Sequence, residues 1–328
     1  MAACGGSKPA EQPAADAPAT QTPTAEKGAE PFKIGIVQLV EHPALDASYK
    51  GFVDGLKDAG LVEGTDFVLD YQNAQGEQAN CQTIATKLVN DKSDLILAIA
   101  TPAAQAVAAT TSDIPVLVTA VTDPADAKLV KSNEVPGGNI SGTSDLTPVA
   151  EQIKLLKELA PKTQKIAMLY CSSESNSKFQ VELAKAAAEK LGIECIDATV
   201  SNSNEIQQVV ESLIGKVDAI YAPTDNMIAA GMATVNMVAE PAKIPVIVGE
   251  EGMCKSGGLA TYGINYYNLG KLTAKQAVKI LKDGAKPAEM PIEYLTDCDL
   301  IINKTIADKL GVTVSAELSN KATFVEMK

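Results

Sequence analysis

Val217-Asp218-Ala219-Ile220-Tyr221-Ala222-Pro223-Thr224-Asp225-Asn226-Met227-Ile228-Ala229-Ala230 decides the fold. An apolar run of strand length stops at Pro223, three small polar residues follow, and an Ala-rich stretch of helical character begins. Thr224, Asp225 and Asn226 therefore stand where a buried strand hands over to a helix, the corner of an open α/β sheet at which ligands bind. The same device occurs earlier as Ser93-Asp94-Leu95-Ile96-Leu97-Ala98-Ile99-Ala100-Thr101-Pro102-Ala103-Ala104. Two similar corners predict two similar lobes.

Strands and helices alternate on both sides of these corners. Strands are expected over 33–40, 67–71, 94–100 and 114–121, with helices over 47–59, 78–90 and 102–110 between them, which predicts a parallel sheet covered on both faces. After the Gly-rich passage Pro136-Gly137-Gly138-Asn139-Ile140-Ser141-Gly142-Thr143-Ser144-Asp145 the pattern restarts, with strands over 165–170, 193–200, 218–222 and 244–248 and helices over 149–159, 177–191, 204–214 and 227–239. Ile34 and Ile166 are 132 residues apart, Asp94 and Asp218 are 124 apart, and Ile114 and Ile244 are 130 apart, so the spacing is kept over a whole lobe. A period this long excludes a solenoid. The fold class is α/β, two doubly wound parallel-sheet lobes joined by a hinge. A strand over 258–264 and an amphipathic helix over 266–283 follow, then a Pro-containing connection, a strand at 300–302 and a helix at 304–310. The expected partition is a tether over 1–31, a first lobe of 32–143 plus about 263–290, and a second lobe of 144–262 plus about 291–328.

The 328 residues carry a formal charge of −13 with one histidine and six cysteines. Phosphate binding needs clustered Lys and Arg, so a nucleic-acid partner is excluded. No apolar run approaches a membrane-spanning length. The cysteines at 4, 81, 171, 195, 254 and 298 show no Cys-x-x-Cys spacing, and with a lone histidine no zinc site is expected; a Cys254–Cys298 disulfide is left open by the spacing. Residues 1–31, rich in Pro, Ala, Gln, Thr and Glu, have no apolar periodicity and cannot bury a core.

Nucleophilic hydrolysis needs a base beside the nucleophile; the one imidazole, His42, lies in a loop beside Pro43, and no Gly-x-Ser-x-Gly is present. Phosphate-loop and dinucleotide fingerprints are also missing, so no cofactor is expected. A two-cysteine racemase fails by symmetry, because Cys171 has no thiol counterpart in the first copy. What the chain does carry is a set of small polar residues at strand ends in both copies. These are His42, Leu45, Thr101, Ala103, Thr122 and Asp123 in the first, and Glu174, Asn176, Thr224, Asp225, Asn226 and Glu250 in the second, with Asn265 after them. The amides of Ala103 and Ala104 after Pro102 suit a carboxylate at a helix N-terminus. Asp225 or Glu250 across the cleft suits an ammonium, and the two together describe an α-amino acid. The competing role for Thr101, Asp225 and Asn226 is plain helix capping.

Glu41-His42-Pro43-Ala44-Leu45-Asp46, Ala100-Thr101-Pro102-Ala103-Ala104-Gln105-Ala106, Val121-Thr122-Asp123-Pro124, Pro136-Gly137-Gly138-Asn139-Ile140-Ser141-Gly142, Pro223-Thr224-Asp225-Asn226 and Gly257-Gly258-Leu259-Ala260 together resemble the ABC-transporter substrate-binding proteins of the tryptophan/tyrosine type, over about 33–318. The resemblance implies a type I periplasmic-binding fold, an aromatic amino acid as ligand, a membrane permease with a separate ATPase as partners, and no catalysis. The family pattern has an acidic residue where Asn265 stands, which leaves either an aromatic amino acid held through Asp225 or Glu250 or a related small molecule without the amine. Ala2-Ala3-Cys4-Gly5 resembles a bacterial lipoprotein site, with Met1 read as a start replacing the signal peptide's charged and apolar parts. It implies an extracytoplasmic, membrane-anchored monomer lipidated on Cys4. The alternative reading is a two-lobed enzyme or sensor acting on an amino-acid-like ligand. A repressor would need a helix-turn-helix that residues 1–31 cannot form.

Overall fold

Asp94 and Asp218 open equivalent strands, and each reaches the strand beside it. Asp94 Oδ2 accepts from Lys33 N at 2.7 Å, and Asp218 Oδ2 accepts from Lys165 N at 2.9 Å. The computed structural model describes residues 1–3 and 30–327. The tether and Cys4 lie outside the described residues apart from 1–3, 30 and 31.

The first copy runs β1 (Phe32–Gln38), α1 (Pro43–Asp58), β2 (Phe67–Asn73), α2 (Gln78–Asn90), β3 (Leu95–Ile99), α3 (Thr101–Ala108), β4 (Val116–Val121) and β5 (Ile140–Ser144). The second runs α4 (Val149–Leu159), β6 (Lys165–Cys171), α5 (Ser175–Lys190), β7 (Glu194–Val200), α6 (Ile206–Glu211), β8 (Ala219–Ala222), α7 (Asn226–Ala230), α8 (Met232–Ala239), β9 (Val246–Val248), α9 (Glu251–Lys255) and β10 (Ala260–Gly263). The two sheets have the same core order, β5-β4-β3-β1-β2 and β10-β9-β8-β6-β7, and these strands pair in parallel. The duplication of spacing is thus a duplication of topology. Buried Val, Ile, Leu and Ala fill the strands, as sheets covered on both faces require.

The remaining chain is α10 (Tyr266–Asp283), β11 (Glu293–Tyr294), β12 (Asp299–Asn303), α11 (Lys304–Leu310), α12 (Ala316–Lys321) and β13 (Thr323–Val325). β11 extends the first sheet beside β5, while β12 and β13 extend the second beside β10. The chain therefore passes between the sheets three times, at 145–148, 264–265 and 295–298. The return to the first sheet reaches Tyr294, a few residues beyond the expected 290.

Two elements differ from the sequence reading. The strand β5 lies inside the passage read only as Gly-rich; Gly142 is needed there at φ +141°, because a Cβ would meet Val118 O at 2.1 Å. The helix expected over 227–239 breaks at Gly231, where a Cβ would meet Ile206 Cδ1 at 2.4 Å. All five described cysteines are free thiols, so Cys254 and Cys298 form no disulfide; Cys254 Sγ lies against the carbonyls of Gly258 and Ile301.

Candidate functional site

At the carboxyl ends of the two sheets lies a cleft lined by His42, Leu45, Ala120, Thr122, Asp145, Asn176, Thr224, Asp225, Asn226, Ala229, Glu250 and Tyr266. The cavity between its walls is only about 10 Å³, so the walls nearly meet. Direct contacts join the lobes at its edge. His42 Nε2 is 3.3 Å from Asn226 Oδ1, Thr122 Oγ1 is 3.5 Å from Thr224 Oγ1, and Gln105 Nε2 is 3.3 Å from Ser175 Oγ.

Local sequence places each wall. Pro43 at the first position of α1 sets His42 as its N-cap and puts Leu45 one turn on. Pro223 ends the β8 segment, and Asp225 caps α7 with Oδ1 accepting from Ile228 N at 2.8 Å. Its Oδ2 accepts from Cys171 N at 2.7 Å and Ser177 Oγ at 2.6 Å, so both carboxylate oxygens are engaged in holding α7 to β6 and α5. Glu250 likewise caps α9, accepting from Gly252 N and from Met253 N at 2.6 Å; burial raises its carboxyl to about 7. Neither acid has a carboxylate oxygen without a donor.

Asp145 does. It follows β5 at the first crossing, is 4% exposed, and its Oδ2 accepts from Tyr266 Oη at 2.7 Å, whereas Oδ1 has no hydrogen-bond partner among the described residues. Burial raises its carboxyl to about 6, against the lowering effects of the Tyr266 and Thr122 hydroxyls and of its own backbone amide. The site list drawn from the sequence omitted Asp145. The available signal was an acid directly after the segment that bridges the two copies, but β5 went unread and the acid with it.

Two more buried atoms of the cleft wall, His42 Nδ1 and Asn176 Oδ1, have no partner among the described residues. Asn176 Nδ2 is committed to Glu174 Oε2 at 3.1 Å and Thr224 O at 3.2 Å. Donors are also present. Gln180 Nε2 donates to Thr224 Oγ1 at 2.6 Å and to Thr122 Oγ1 at 3.2 Å, and the two hydroxyls lie 3.5 Å apart, so one of them can donate to the other while its partner keeps a hydrogen to give. The hydroxyl pair can thus donate to an anion, beside a carboxylate oxygen and two neutral acceptors that can receive from a cation.

Of the residues singled out in the sequence, His42, Leu45, Thr122, Asn176, Thr224, Asp225, Asn226 and Glu250 line the cavity. Thr101, Ala103, Asp123, Glu174 and Asn265 do not. At the α3 N-terminus, where a carboxylate site is expected, Thr101 and Ala103 are buried outside the cavity, and the Ala104 amide donates to Ala100 O at 3.0 Å. Asp123 Oδ1 accepts from Ala125 N, Asp126 N and Asn133 Nδ2, closing a turn. Glu174 sits behind the wall, accepting from the Asn226 and Met227 amides and from Asn226 Nδ2; burial and the nearby Asp225 raise its carboxyl. Asn265 is exposed and caps α10 through Asn268 N.

Among the described residues no cluster of His, Cys, Asp and Glu could hold a metal ion, and no helix is long and apolar enough to cross a membrane. Two doubly wound lobes, three crossings between them and a cleft where they meet define a type I periplasmic-binding protein. The chain belongs to the family of ABC transporter substrate binding proteins, whose model matches residues 33–326. It is 46% identical over 271 residues, 83% of this chain and 78% of the relative, to a tyrosine-binding protein of Clostridioides difficile. It superposes at a TM-score of 0.85 and 42% identity on an ABC domain from Streptococcus pneumonia in complex with L-Trp, covering 89% of this chain and 99% of that one. A ligand-free, open substrate binding protein with adhesive properties from Clostridium difficile is 46% identical over 90% of this chain and 100% of that one, yet superposes at only 0.69.

Proposed function

We propose that this protein is the extracytoplasmic receptor of an ABC importer, closing on an aromatic α-amino acid between its lobes and presenting it to a membrane permease. The observation that carries the reading is Asp145 Oδ1, a buried acceptor without a partner on a crossing segment beside the cavity. An α-ammonium supplies the missing donors and the compensating charge, which a buried carboxylate requires. The Thr122 and Thr224 hydroxyls, one per lobe, take the ligand carboxylate, so a ligand bridging them draws the lobes together. Leu45, Ala120 and Ala229 give the apolar, small-residue wall that a ring needs. The ligands named for two relatives, tyrosine and L-Trp, support the same class. Delivery without catalysis follows the family's role, and a lipid on Cys4 is the proposed tie to the membrane. The chain acts as a monomer, since it supplies both walls of its own cleft.

Calorimetric titration with L-tyrosine, L-tryptophan and L-phenylalanine tests this, beside tyramine and 3-(4-hydroxyphenyl)propanoate, which lack the carboxylate and the amine. At least one amino acid is expected to bind, and each truncated analogue to bind more weakly than L-tyrosine. At about 100-fold excess over its Kd the ligand adds ~2.7 kcal/mol of stability. Equal binding of tyrosine and its amine-free analogue would remove the role of Asp145.

A further inference from the structure

We propose that His42 reads the ligand's side chain, its Nδ1 lone pair accepting a hydrogen bond from a ring-borne donor, the tyrosine phenol or the tryptophan indole N–H, and so setting phenylalanine apart. This rests on the reading of the cavity as an aromatic amino-acid site. The argument begins behind the wall. Glu174 Oε2 accepts from Asn226 N at 3.1 Å and from Asn226 Nδ2 at 2.6 Å, so it faces Asn226 as an acceptor and sets the amide with its nitrogen toward Glu174 and its oxygen toward His42. Asn226 Oδ1 then faces His42 Nε2 at 3.3 Å and can only accept, so Nε2 carries the proton.

A neutral imidazole protonated on Nε2 has a bare lone pair on Nδ1. That atom is buried and without a partner among the described residues, on a side chain that is 7% exposed and lines the cavity. Burial holds the ring's pKa down, to about 4, so the imidazole stays neutral and Nδ1 remains an acceptor near neutral pH. Asp145 already answers the ammonium at the crossing, which leaves His42 for the other end of the ligand. The neighbours of His42 agree. Leu45 lies three residues on along α1 and Ala229 three residues beyond Asn226 along α7, so each apolar wall residue stands one turn from a member of the His42–Asn226 pair. An aromatic ring against Leu45 and Ala229 carries its polar edge to Nδ1.

A site built to pair a ligand donor rejects the analogue without it, because the buried acceptor is then stranded. The test is the ratio of dissociation constants for L-phenylalanine and the better of L-tyrosine and L-tryptophan, measured on the full chain, on His42→Leu and on His42→Gln. In the wild type the ratio is expected to be at least about tenfold. His42→Leu should bring it within about threefold, and His42→Gln, which keeps an acceptor, should restore part of it. A wild-type ratio near one overturns the proposal. So does a uniform loss of affinity in His42→Leu with the ratio preserved, which would place His42 on the closing contact alone. If His42→Leu does not fold, as read by circular dichroism, the wild-type and His42→Gln ratios decide. Failure of all three amino acids to bind also overturns it, and is distinguishable because it removes the aromatic reading itself.

Discussion

Two buried aspartates of this cleft have opposite work, and hydrogen bonding separates them. Asp225 has both carboxylate oxygens filled by Ile228 N, Cys171 N and Ser177 Oγ, so its charge is spent on the join between α7, β6 and α5. Asp225→Ala is expected to lower the unliganded melting temperature, at a cost of about 2 kcal/mol or more, since a cap is lost and buried donors are stranded. Thermal unfolding checks this. Asp145, by contrast, keeps one oxygen unanswered. Asp145→Asn is expected to weaken amino-acid binding about ten- to a hundredfold, the worth of a hydrogen bond to a charged group, while leaving the unliganded melting temperature equal or higher. The pH dependence follows from the same burial. The Asp145 carboxyl is raised from 3.8 to about 6, so its contribution to unliganded stability is full below about 3.8 and lost as pH rises through 6. The ligand's ammonium takes the place of that proton, so stabilisation by ligand should be largest above pH 6 and shrink below it in melts run from pH 4.5 to 8.

At the scale of elements, the cleft depends on how closely α1 and α10 pack. A Cβ on Gly270 would meet Ser48 O at 2.0 Å, and one on Gly51 would meet Tyr267 O at 2.0 Å, so the helix backbones touch. α1 carries His42 and Leu45 at its start and α10 carries Tyr266, the partner of Asp145. Gly270→Ala should therefore force the pair apart at a cost of about 1–3 kcal/mol or more and weaken ligand binding too. Gly138→Ala, where a Cβ meets nothing within 4 Å, serves as the control and should shift the melting temperature little. This proximity was invisible in the sequence, where Gly51 and Gly270 are ordinary helix residues 219 positions apart. Corners such as Pro223-Thr224-Asp225-Asn226 were legible because a strand stop and a helix start are local chemistry. β5 was not, because Ser141, Gly142 and Ser144 lack strand character, Ile140 and Thr143 alone make too short a pattern, and the strand exists only through its neighbours. Which way α3 presents its first turn is likewise a tertiary matter that local sequence does not show.

For the molecule as a whole, the duplication was legible at the level of spacing, and the common strand order is its structural form. The arrangement of the lobes has a different origin. The contacts joining them at the cleft include 3.3 Å for His42–Asn226, 3.5 Å for Thr122–Thr224, 3.2 Å for Gln180–Thr122 and 3.3 Å for Gln105–Ser175, and each is worth little net free energy. Closure therefore draws its driving force from a ligand that bonds both walls at once. A shift from one part closed in a hundred to ninety-nine requires about 5.5 kcal/mol of preference for the closed form, which an ammonium–carboxylate pair, two hydroxyl contacts and a buried ring can supply together. Small-angle scattering should give a larger radius of gyration without ligand and a contraction on adding saturating L-tyrosine or L-tryptophan, whichever calorimetry shows to bind. In Asp145→Asn the same contraction should require proportionately more ligand. Scattering curves that coincide with and without a ligand bound by calorimetry would mean that the lobes do not move, and the direct contacts between them would then have to hold the cleft shut alone.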